Sequence, residues 1–89
     1  MSDLAIKRRL DRAKRKAQID LEYRNYFVIP SNNRPVCLVA IQGSDVRLIR
    51  ICLDKAEPDD KKALSEYPGI QRELWVRKEG QERFEIHRI

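Results

Sequence analysis

The sequence predicts a mixed α/β fold: one mixed β-sheet with helices packed on it, in the order helix, three strands, helix, two strands (αβββαββ). Three observations carry that prediction. Residues 34–55, RPVCLVAIQGSDVRLIRICLDK, hold two aliphatic, β-branched runs (36–41 and 46–53) parted by the turn cluster Gly43-Ser44-Asp45, the pattern of a β-hairpin. Residues 4–23 repeat apolar side chains at helical spacing. A short helical segment then separates the hairpin from a last pair of strands, and such a crossover lets the next strand lie parallel to a central one.

The hairpin sets the frame for the rest. With Gly43-Ser44 as a two-residue loop, Gln42 faces Asp45 and Cys37 faces Arg50. Side chains alternate along a strand, so one face carries Cys37, Val39, Ile41, Val46, Leu48, Arg50 and Cys52. The other carries Val36, Leu38, Ala40, Gln42, Arg47, Ile49, Ile51 and Leu53. Neither face is mostly polar, which is expected of a sheet covered on both sides, with the hairpin at its centre.

In the first helix, Ser2 and Asp3 are candidate caps, and Ile6, Leu10, Ala13, Ala17 and Leu21 make one apolar stripe. The opposite face is basic: between residues 7 and 16, seven of ten side chains are cationic, namely Lys7, Arg8, Arg9, Arg12, Lys14, Arg15 and Lys16, against the single acid Asp11. The plain reading is a solvated helix face. Cations that close repel one another, however, and a polyanion laid across them relieves the repulsion. A first strand follows at 25–29 and a turn-rich loop at 30–35. After the hairpin, AEPDD marks a helix start, with residues 61–67 as the helix and Pro68-Gly69 as its stop. Strands at 72–78 and 83–89 meet at a turn at Glu79-Gly80. Trp75 points away from Leu74 and Val76 and reads as core packing.

At 89 residues the chain is one domain, 1–89, with no room for a second core. A net charge of +5, with a pI of about 9.5, favours an anionic partner, although small basic proteins are common. Two cysteines, no leader-like segment and no long apolar run point to a cytoplasmic protein with free thiols and no membrane association. The lone His87 and the absence of CxxC spacing argue against zinc.

The order of elements, YFVIPSNNRPVCLVAI followed by VRLIRIC, and the closing RELWVRKEGQERFEIHRI together resemble the restriction-endonuclease-like (PD-(D/E)xK) nuclease superfamily, in particular its small Holliday junction resolvase-like members. The resemblance implies a site of an aspartate on the second strand and, on the third, an acidic or glutamine residue and then a lysine two apart, the carboxylates holding Mg²⁺ that activates a water and the lysine helping to hold that nucleophile. Matched by flanking residues, Cys37 stands at the aspartate position, Arg50 at the acidic position and Cys52 at the lysine position. A thiol is a poor ligand for Mg²⁺ and a guanidinium repels it, so the site is degenerate and no metal cofactor is expected.

The resulting expectation is a nuclease-like pseudoenzyme that binds DNA or RNA through Lys7, Arg8, Arg12, Arg15, Lys16 and Arg34. The resemblance also implies a homodimer. The alternatives are an active endonuclease using Mg²⁺ on migrated carboxylates, with Asp45 and Asp54 as the candidates, and a protein–protein adaptor whose charge is incidental. Pro58-Asp59 and Asp60-Lys61 imitate the family signature in letters only, since helix capping accounts for them.

Overall fold

The computed structural model describes residues 3–31 and 36–89. Ser2 and Arg34, with most of the loop around Arg34, lie outside the described residues. The elements are α1 (Asp3–Tyr23), β1 (Phe27–Pro30), β2 (Leu38–Gln42), β3 (Asp45–Leu53), α2 (Pro58–Ser65), β4 (Gln71–Arg77) and β5 (Glu85–Arg88). This is the αβββαββ order expected from the sequence.

Local signals set most boundaries. Helix α1 ends where Asn25 turns left-handed at φ 69°, and the N–H groups of Asn25 and Tyr26 bond back to the carbonyls of Glu22 and Leu21. That is a Schellman cap, and it corrects the expectation that Asn25 opens the first strand. Helix α2 opens at Pro58 rather than 61, because proline suits a first helical turn and the Asp60 carboxylate accepts the Glu57 N–H at 2.9 Å. Gly43, at φ 60°, takes the first turn position between β2 and β3, where a two-residue hairpin needs a positive φ.

The five strands lie in the order β1-β2-β3-β4-β5. All neighbours are antiparallel except β3 and β4, which run parallel because α2 carries the chain back across the sheet. The hairpin is therefore internal, with Gln42 opposite Asp45 as expected.

Each face of the sheet has its own core. Against α1 lie Leu38, Ala40, Ile49, Ile51 and Trp75, met by Ala13, Ala17 and Leu21 of the helix. Small alanines bring α1 close to the sheet, while Ile6, on the same predicted stripe, projects past it and is 44% exposed. Against α2 lie Val36, Leu48, Cys52, Leu74 and Val76, met by Leu64. Leu64 and Leu74 are fully buried, each contributing about 1.5–3 kcal/mol of apolar transfer energy. Trp75 is core, with its ring tilted on Phe84 at 5.3 Å.

Candidate nucleic-acid interface and the metal-site position

Arg50 and Cys52 alternate with Ile49 and Ile51, so both side chains turn toward α2. There Arg50 Nε donates to Asp60 Oδ1 at 2.7 Å, in a pair whose side chains are only 21% and 15% exposed. Burial opposes ionisation of Asp60, but the bonds from Arg50 and from the Glu57 N–H outweigh it and hold the carboxyl below its ordinary pKa. The opposite happens to its neighbour. Burial, reinforced by the Asp60 charge, pushes the Cys52 thiol up to about 12, so it stays protonated at neutral pH and is no ligand for a hard cation.

Cys37 departs from the expected register. Leu38 pairs with Ile49, yet the Cys37 N–H also bonds the Ile49 carbonyl at 2.9 Å. Two residues thus stand against one, as in a β-bulge, and the alternation reverses there. Val36 falls on the α2 side with Leu48 and Cys52, while Cys37 packs on the α1 side, its sulfur 3.5 Å from the Ile51 nitrogen. The expected shared face of Cys37, Arg50 and Cys52 is corrected to Arg50 and Cys52 alone. Both cysteines are free.

The two alternative carboxylates stand at opposite ends of β3. Nine strand residues at ~3.3 Å each place Asp45 and Asp54 roughly 30 Å apart, too far to share a metal. Each is also occupied. Asp45 is bonded by Arg47 at 3.0 Å and by the Tyr26 hydroxyl at 3.2 Å, and the Arg47 bond keeps its pKa low. Asp54 is paired with Arg9 at 3.1 Å. Among the described residues, no group of three His, Cys, Asp or Glu side chains is placed to hold a metal ion.

The basic face of α1 divides into two flanks. Arg9, Arg12 and Lys16, one or two turns apart, line a cavity of about 300 Å³ with Arg77 and Lys78 at the end of β4. Arg15 lies on the other flank with Asp11, Lys14 and Glu22, a mixed-charge surface where Lys14 Nζ donates to the Ser31 carbonyl at 2.8 Å. Lys7, Arg8, Arg12 and Arg15 are exposed, and Lys16 is half-buried. Arg12 and Lys16 have no carboxylate partner among the described residues. Sequence reasoning missed Arg77 and Lys78. The RK pair at the end of a strand was a visible signal, but nothing in the chain said which helix that strand end would meet.

The backbone aligns with the 1.6 Å structure of Hjc, a Holliday junction resolvase from the archaeon Archaeoglobus fulgidus, at a TM-score of 0.74 over 90% of this chain and 72% of that one. The chain has a resolvase-type nuclease fold. Sequence identity is 15%, so the likeness is one of architecture. No protein-family model and no curated protein matches the sequence. The resolvase-type architecture is thus carried here by a chain whose third strand presents Arg50 and Cys52 to α2. Among the described residues no helix is long and apolar enough to cross a membrane.

Proposed function

We propose that this chain is a nucleic-acid-binding protein built on a resolvase-type nuclease fold, and that it does not cleave. The observation that carries the reading is the Arg50–Asp60 pair: where the family resemblance puts a metal-binding acid, a guanidinium already holds the local carboxylate. A divalent cation brought there would meet a fixed positive charge and a protonated thiol. What remains of a nuclease is the charged surface, and Lys7, Arg8, Arg12, Arg15 and Lys16 all reach solvent.

The test is paired. With these five cations displacing counterions, log K should fall with log salt at a slope of roughly −4, a loss of about 10²–10³ in affinity between 50 and 200 mM salt. Neutralising Arg8, Arg12 and Arg15 to Gln should flatten that slope by between two and three. In the same tubes Mg²⁺ or Mn²⁺ should produce no nicking of duplex or junction DNA. Metal-dependent nicking abolished by Asp45→Asn or Asp54→Asn would overturn the reading.

Pairing with a second copy belongs to the same proposal. Phe27 and Ile29 on the edge strand β1 are exposed, and Phe27 sits in a row with Ile41 and the exposed Val46. Apolar residues grouped on a sheet face are unfavourable in water and suit an isologous interface. Sedimentation equilibrium should show a dimer that Phe27→Ser shifts to monomer, and a wild-type monomer at micromolar concentration removes this part.

A further inference from the structure

The cavity under Arg12 does not end at α1. Lys16 lines it and also lines a second cavity of about 590 Å³, so the two adjoin at that side chain and follow one another as a trough along the seam between α1 and the β4–β5 hairpin. From Arg9 to Tyr23 the helical wall of the trough is roughly 21 Å long, at ~1.5 Å per residue. We infer that this trough is a binding track for single-stranded nucleic acid, with Arg12 and Lys16 contacting phosphates and Tyr23 serving as a platform for an unstacked base. The inference rests on the nucleic-acid reading above and narrows its partner.

Charge and ring placement argue for it together. Arg9, Arg77 and Lys78 are anchored, by Asp54, by the Gln81 carbonyl and by Glu85 respectively, and so are held along the trough wall. Arg12, Lys16, Arg24 and Arg83 line the trough without an ion pair among the described residues, against the carboxylates Asp20, Glu79 and Glu82. Tyr23, at the far end, is 88% exposed, so its ring has no packing role in the fold. Phe84 lines the same end, over the buried Trp75. An aromatic face beside cations recognises a base whose own face is open, which a strand offers and an intact duplex hides. A duplex would use the cations alone.

Fluorescence anisotropy with a labelled oligothymidylate and with a duplex of equal length, at one low salt concentration, tests the inference. The single strand should bind about tenfold tighter or better. Tyr23→Ala should weaken the single strand by about 5- to 150-fold, the range for loss of one stacked base, and leave the duplex unchanged. Because Tyr23 is exposed at a helix end, the variant keeps its fold, checked by circular dichroism. Arg12→Gln with Lys16→Gln should weaken both ligands. A silent Tyr23→Ala, or equal affinity for strand and duplex, overturns the trough while leaving the general proposal in place. Absence of binding to either ligand removes both.

Discussion

Arg50→Glu is expected to leave most molecules unfolded at 37 °C. The substitution removes one member of a largely buried pair and sets a second carboxylate within about 3 Å of Asp60. Breaking a buried pair costs about 3–5 kcal/mol, and repulsion adds to that. A small domain has a total stability near the low end of ~5–15 kcal/mol, so little is left. Urea denaturation at pH 7 measures the loss. A decrease under about 1 kcal/mol would mean that the pair contributes nothing. The acid limb gives an independent check. In the native chain the lowered Asp60 pKa contributes stability present above the ordinary carboxylate range and lost as pH falls below it. In Arg50→Glu the two acids repel until one takes up a proton, so the deficit relative to wild type should shrink as the pH drops towards 4.

The same geometry decides what a restored catalytic pattern can do. The combination Cys37→Asp, Arg50→Glu and Cys52→Lys places one acid on the α1 side of the bulge and the other two changes on the α2 side. Two carboxylates separated by the sheet do not share a metal, so the triple variant should show no metal-dependent nicking even where it folds.

Glu73→Ala should lower stability by about 3 kcal/mol and the melting temperature by roughly 12–24 °C. Glu73 is 2% exposed, and it joins three strands: Arg47 of β3 bonds it at 2.9 Å, Arg88 of β5 lies at 3.6 Å, and the indole N–H of Trp75 donates to it at 3.1 Å. Truncation leaves a buried indole N–H without an acceptor and strips Arg47 of one of its two carboxylates. Asp45 remains on Arg47, which keeps the loss at the lower end of the range for buried pairs. Glu73→Gln retains an oxygen for Trp75 and should lose less. Thermal circular dichroism of the two variants gives the comparison, and equal melting temperatures for Glu73→Ala and wild type would refute the role.

Several elements were legible in the chain because their signals are local. The apolar spacing of Ala13, Ala17 and Leu21 needs only a helix to become a buried stripe. Gly43 needs only a hairpin to occupy its positive φ, and the alternation of Leu48, Ile49, Ile51 and Cys52 follows from the strand period. Pro58 and Asp60 announced a helix start, which is what they make.

By itself, then, the sequence determined the order of elements, the hairpin register from Leu38 to Ile49, the two-sided core and the excess of cations on α1. The tertiary structure alone decided the side on which Cys37 lies, because a bulge depends on which carbonyl a single N–H finds across the strand. It also decided the partner of Arg50, since Asp60 is ten residues away and reaches it only when α2 folds back over β3. The joining of Arg12 and Lys16 with Arg77 and Lys78 was settled at the same level. Charges more than sixty residues apart in sequence act as one surface only after the parallel β3–β4 pairing has brought the end of β4 beside the first helix.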